Sequence, residues 1–309
     1  MLLHVAHVTR YHYTPAVENA HHAVHLKPPS NGSQTVLDHS LHISPEPAHQ
    51  REVTDIYGNS STFFSLQTSH DTLNVIADSV VETMTANAAL NADALLTAMH
   101  MNWERVRDLF RYRAGARYSS AWEFVFASPY APRDDAFVQF ARPSFQAGRP
   151  LASAAHDLME RIHDTMVYES ESTDVNTPAL VALKAGKGVC QDFAHIMVAC
   201  CRAMGLPARY VSGYLLTQPP PGQPRLIGSD ASHAWASVYC PGTEKDEPGQ
   251  WLDFDPTNNR APGEDYVTLA TGRDFLDVSP LRGVIRGGSR HSLDVAVTVT
   301  PMASLTEPA

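Results

Sequence analysis

A chain of 309 residues holds enough material for about two domains and a sizeable core. Its formal net charge of -10, with no Lys/Arg-rich run, argues against a nucleic-acid surface, and no apolar run reaches the roughly 20 residues of a membrane span. The four cysteines, at 190, 200, 201 and 240, show neither a CxxC zinc spacing nor a disulfide framework, so a reducing cytoplasm is expected.

The opening stretch MLLHVAHVTRYHYTP alternates and carries histidines and an arginine, so it reads as a strand rather than a secretory leader. Leu37, His39, Leu41 and Ile43 alternate again. Val53 to Tyr57 and Ser61 to Leu66 flank Gly58-Asn59, a hairpin signal, and Leu73 to Val81 is a further strand. Short strands with turn punctuation predict a β-sandwich-like domain over residues 1–85. Ten of the sixteen histidines precede residue 71, but no carboxylate or cysteine is spaced to complete a metal site, so no metal or other cofactor is expected.

Residues 86–150 read as a connecting region. Residues 86–113 have helical character, with Leu95, Leu96, Met99, Trp103, Val106 and Phe110 on one side. An aromatic, proline-punctuated stretch follows, including Trp122, Phe124, Phe137, Phe140 and Phe145. It is expected to seal the seam between domains. The second domain spans 151–309. Leu151 to Val167 is an amphipathic helix with Leu158, Ile162 and Met166 at four-residue steps. A short helix begins near Pro178, with Asn176 or Thr177 as its cap.

The stretch KGVCQDFAHIMVACCRAMGLPARYVSGY organises this second domain. A turn at Gly186-Lys187-Gly188 delivers Cys190 to the first turn of a helix that runs to Met204, where Gly205 and Pro207 stop it. Free N–H groups and the helix dipole at that position favour a thiolate. Phe193, Met197, Cys200 and Met204 form an apolar stripe that Ile196 and Val198 widen, so the helix should be buried and central. Cys201 lies on the same face as Cys190 but about 16 Å along the axis, too far for a disulfide. Ala208 to Leu215 is a strand. The proline-rich run Gln218 to Asp230 either flanks a cleft or merely connects, and Glu244 to Glu247 reads as a solvated loop. Ser232 to Tyr239 and Trp251 to Asp255 are two more strands, and Leu293, Val295, Val297 and Val299 alternate in a last one.

If the strands holding His233 and Asp255 are antiparallel neighbours, the two side chains can meet, and the helix can bring Cys190 to the imidazole. A thiol needs a base to ionise and the base needs an orienting acceptor. Asp192 can take up free N–H groups at the helix start. Trp235 reads equally as a shield for an ion pair or as core.

GVCQDFAH, RAMGLPARYVSGYL, SHAWASVY and WLDFDPTN, in this order, resemble the core motifs of the transglutaminase-like superfamily. IYGNSSTFF and LNVIADSVVE resemble the N-terminal β domain of its bacterial members, and SPLRGVIRGGSRHSLDVAVTV resembles their usual ending. The resemblance implies an α+β fold: a β domain, then a papain-like core with a central helix packed on an antiparallel sheet. It also implies Cys190 as nucleophile, His233 as general acid/base and Asp255 as its orienting partner. Asp253 is the rival carboxylate, but the family's aspartate precedes Pro-Thr, which selects Asp255. The implied reaction is acyl transfer from a peptide, protein or carboxamide through a thioester. Hydrolysis is the expected outcome; amine transfer and an inactive peptide-binding scaffold are the alternatives.

Overall fold

Period-two burial organises the first third of the chain. In the computed structural model, which describes residues 1–84, 100–115, 118–217, 232–242 and 249–303, five strands come first. They are β1 (Leu2–Lys27), β2 (Gln34–Ser44), β3 (His49–Thr54), β4 (Ser60–Leu66) and β5 (His70–Thr83). Leu3, Val5, His7 and Thr9 are buried on alternate positions of β1, as a half-buried strand requires. The β3–β4 turn is built by Asp55, whose Oδ1 accepts hydrogen bonds from the N–H groups of Tyr57 (2.8 Å) and Asn59 (2.9 Å).

Strand β1 is the axis of the first sheet, which is antiparallel and seven-stranded. Its first half pairs with β5 and its second half with β4. The remaining edge of β1 is covered from the far end of the chain. Strand β12 (Leu281–Gly287) pairs with residues 17–24 and β13 (Arg290–Pro301) with residues 3–14.

The middle of the chain supplies helices α1 (Trp103–Leu109), α2 (Asp135–Ala141), α3 (Leu151–Thr165) and α4 (Ala179–Ala185). A 3₁₀ turn spans Ser120–Val125, and two short parallel strands, β6 (Val167–Tyr168) and β7 (Lys187–Gly188), follow. Helix α5 (Cys190–Ala203) sits among these helices and is buried along nearly its whole length. It packs on an antiparallel sheet of order β10-β9-β8-β11, made by β8 (Ala208–Leu215), β9 (Ser232–Cys240), β10 (Gln250–Phe254) and β11 (Tyr266–Gly272). Phe193, Ile196 and Met197 are fully buried, each stabilising the fold by about 1.5–3 kcal/mol. Helix α6 (Phe275–Val278) closes the core.

Most of the aromatic stretch belongs inside this second core: Phe137 and Phe145 share a cluster with α5, and Trp122 and Phe140 pack against it. At the seam itself Phe124 meets Tyr57, with ring centroids 5.5 Å apart. The two sheets pack face to face, because Tyr214, Val267 and Leu269 join the cluster of Leu3, Val5, Leu73 and Val297. Two side-chain amides fasten the outer edge of β11. Gln34 accepts from the N–H of Thr268 (2.7 Å) and donates to its carbonyl (2.8 Å), and Asn59 does the same with Thr271 (2.8 Å each). An edge strand is thereby covered by paired side chains instead of a further strand.

Among the described residues no helix is long and apolar enough to cross a membrane. Residues 86–99 of the expected helix, the Gln218–Asp230 loop and the Glu244–Glu247 loop lie outside the described residues.

Candidate active site

Cys190 is the first residue of α5, and it is the half-exposed member of four free cysteines. The helix start is secured from inside. Asp192 Oδ2 accepts the N–H of Val189 (2.8 Å) and the hydroxyl of Thr173 (2.6 Å). Valine has no side-chain oxygen to return the bond, so this cap is one-sided. A Cβ at residue 188 would lie 2.6 Å from Asp192 Oδ2, which is why the G-x-C-x-D spacing needs Gly188. Burial pushes the Asp192 carboxyl up, and the bonds from Thr173 and Val189 oppose that. The Cys190 thiol points at the carbonyl of Ser232, with Sγ 4.0 Å from the oxygen.

Ser232 opens β9, so the next residue, His233, stands beside the thiol. Its Nε2 donates to Asp255 Oδ2 at 2.7 Å, and both side chains are buried. With Nε2 engaged, Nδ1 is the nitrogen left for Cys190. Burial works against a charged imidazole here, but the hydrogen bonds it makes with Asp255 and Cys190 prevail and raise its pKa to about 9.

Asp255 follows the last residue of β10 and is closed into a bridge with Arg260. Its Oδ2 also accepts the Tyr266 hydroxyl (2.7 Å) and the Asn258 amide (2.7 Å), while Oδ1 accepts the N–H of Thr257 (2.9 Å) and, more weakly, of Asn258 (3.3 Å). Burial opposes the carboxylate, yet these donors and His233 hold its pKa below the ordinary value. Tyr266 is itself braced by the Arg260 guanidinium, 4.6 Å from its ring centroid. Asn258 could have been suspected from DPTN, three residues past the aspartate. Tyr266 left no local signal, because β11 reaches the site through sheet pairing.

The rival carboxylate goes elsewhere. Asp253 accepts a hydrogen bond from Ser237, its cross-strand partner on β9, and burial raises its pKa. Trp235 is a core residue, one of its two readings. It is fully buried in a small cluster with Val211 and Tyr266, and its ring lies 6.3 Å from that of His233. A Cβ at Gly213 would come within 2.5 Å of that indole, so the glycine in VSGY gives Trp235 its place beside the imidazole.

Two other polar residues of α5 are structural. His195 accepts the N–H of Phe275 (3.1 Å) and lies between Tyr130 and Tyr210; burial and Arg202 lower its pKa to about 3. Arg202 donates to the carbonyls of Phe124, Ala208 and Arg273. In the N-terminal sheet His7 bonds the Tyr214 hydroxyl (2.9 Å) and His22 stacks on Phe64. Among the described residues no group of three or more His, Cys, Asp or Glu is arranged to hold a metal ion.

A helix-start cysteine, a strand histidine and a carboxylate just past the next strand make a recognisable order. Residues 138–256 match the transglutaminase-like superfamily core, and residues 3–82 match the bacterial transglutaminase-like N-terminal region. The chain belongs to the transglutaminase-like superfamily. An uncharacterized protein of Mycobacterium tuberculosis is 40% identical over 300 residues, spanning 96% of this chain and 92% of its own. An uncharacterized protein of Mycobacterium leprae is 29% identical over 304 residues, spanning 97% and 99%. The crystal structure of a putative cysteine protease from Cytophaga hutchinsonii superposes with a TM-score of 0.69 at 21% identity, covering 100% of this chain and 93% of that one. Its likeness extends the shared fold to the whole chain, N-terminal sheet included. Superfamily membership supports a cysteine-type enzyme.

Proposed function

We propose that this protein is a cysteine-dependent acyl-transfer enzyme that hydrolyses peptide or carboxamide bonds through a Cys190–His233–Asp255 triad. One observation carries the reading: His233 gives Nε2 to Asp255, which leaves Nδ1 for a thiol held at a helix N-terminus. The thiolate attacks the carbonyl carbon, and His233 protonates the departing amine as the C–N bond breaks, leaving a thioester on Cys190. His233, now neutral, takes a proton from water, and the hydroxide equivalent displaces sulfur to release the acid, restoring the thiolate beside a protonated His233. Asp255 holds the ring and stabilises its cationic form. The Cys190 backbone N–H at the helix start is one donor for the oxyanion. A thiol that must stay reduced fits a cytoplasmic setting.

Hydrolysis is favoured over transfer because an acceptor amine must outcompete water at about 55 M, which demands a dedicated acceptor site. The test is turnover of a peptide or amide library with a primary amine added over a wide range. Hydrolysis should dominate, with transfer rising only in proportion to amine. Saturating transfer at submillimolar amine, with hydrolysis suppressed, would move the assignment to transglutaminase. Absence of both an acyl-enzyme by intact mass and turnover, in protein with a reactive Cys190, would favour a peptide-binding scaffold.

A further inference from the structure

A cavity of about 790 Å³ lies between the core sheet and two loops of the N-terminal unit, and Cys190, His233 and Asp255 do not border it. Arg209, Val211, Trp251 and Asp253 form its floor, and Pro29 and Tyr57 stand opposite. The Arg209 guanidinium lies over the Trp251 ring, 4.2 Å from its centroid. Stacking occupies the flat face of the cation but not its N–H edge. Its Nε is buried and has no hydrogen-bond partner. Asp253 acts on it through space, with its own hydrogen bond coming from Ser237. Gln250 Oε1, on the same wall, is a second buried polar atom without a partner. Arg209 as a whole is partly exposed and lines the cavity.

We propose that this cavity binds a small organic carboxylate with an apolar body, held by the Arg209 guanidinium. A guanidinium edge matches the two oxygens of a carboxylate. The volume falls within the range of small-molecule sites, about 300–1,000 Å³. Trp251, Val211 and Tyr57 supply apolar surface for the body of the ligand. Asp253 already offsets part of the positive charge, so a single negative charge fits better than a dianion such as phosphate.

The site is separate from the acyl chemistry, so it is tested in the full-length Cys190→Ala protein. Tryptophan fluorescence is titrated with phenylacetate, with phenethylamine and with inorganic phosphate. Phenylacetate should give a saturable change and the other two should not. Arg209→Met should weaken it at least about 10-fold with the thermal transition retained, and Arg209→Lys should fall between. No saturation by roughly 10 mM phenylacetate, equal affinity in Arg209→Met, or phosphate binding as tightly would each overturn the proposal. Should Arg209→Met fail to fold, phenylglyoxal modification of Arg209 in the otherwise unaltered protein decides: phenylacetate should slow it, and an unchanged rate overturns the assignment.

Discussion

Replacing Asp255 by asparagine keeps the shape of the side chain and removes the charge on which His233 depends. The carboxylate takes His233, Tyr266 and Asn258 on Oδ2 and Thr257 on Oδ1. An amide offers one oxygen in place of two, so at least one of these donors must face an NH₂ group. The His233 pKa stands at about 9 against an ordinary 6.5, and one pKa unit is worth about 1.4 kcal/mol, so the charged ring is favoured by roughly 3 kcal/mol. The hydrogen bond to Asp255 is the largest single contribution to that elevation, and Cys190 shares in it. Loss of ring orientation adds to the loss of that bond, so Asp255→Asn should lower kcat/KM about 100-fold or more.

The same variant should change the pH dependence of stability. A raised histidine pKa stabilises the fold fully below 6.5, and that contribution is lost as pH rises through about 9. A lowered aspartate pKa stabilises it above the ordinary 3.8, and that contribution is lost as pH falls. The Tm difference between the two proteins should therefore be largest between 3.8 and 6.5 and shrink toward both extremes. Unchanged kinetics together with a pH-independent Tm difference would refute the reasoning.

Limiting iodoacetamide near neutral pH should label Cys190 first, because burial pushes the thiol of Cys201 up to about 12, that of Cys240 up to about 11 and that of Cys200 higher still than its ordinary range. Peptide mapping that finds Cys240 labelled ahead of Cys190 would contradict this. Asp253→Asn should cost far less activity than Asp255→Asn, since Asp253 serves Ser237; equal losses would reverse the assignment of the two carboxylates. Tyr266→Phe removes one hydrogen bond to a charged group and should lower kcat about 10-fold. A loss as deep as that of Asp255→Asn would mean Tyr266 does more than position the carboxylate.

What the sequence made legible is what local chemistry encodes. The GVC turn, the nearly all-apolar helix and its stop at Gly205 and Pro207 are statements about neighbouring residues, and the structure has α5 at Cys190–Ala203. The alternation of Leu3, Val5 and Thr9 marks β1 in the same way. What escaped were the consequences of pairing over long sequence distances. Strands β12 and β13 return to β1 across more than two hundred residues, and nothing in SPLRGVIRGG says which edge it will find. Gln34 and Asn59 look like loop residues until β11 arrives beside them. The aromatic stretch was expected at the seam, but apolar content alone does not say which of two cores a residue enters; most of it joined the nearer one.

The carboxylate two residues past the nucleophile poses an electrostatic conflict that is already visible in the sequence. An ionised Asp192 so near Cys190 would oppose thiolate formation. Its Oδ2 is committed to the Val189 N–H and the Thr173 hydroxyl, and Oδ1 is buried with no partner. Burial pushes this carboxyl up, and the hydrogen bonds from Thr173 and Val189 work against that shift. Across the thiol the balance is reversed, because five hydrogen bonds keep Asp255 anionic and hold His233 cationic to about pH 9. The two aspartates thus act in opposite senses on one sulfur. Asp192 secures the helix start, and Asp255 delivers its charge to the sulfur through the imidazole. Exchange of their environments, not of their identities, would abolish the ion pair on which the chemistry depends.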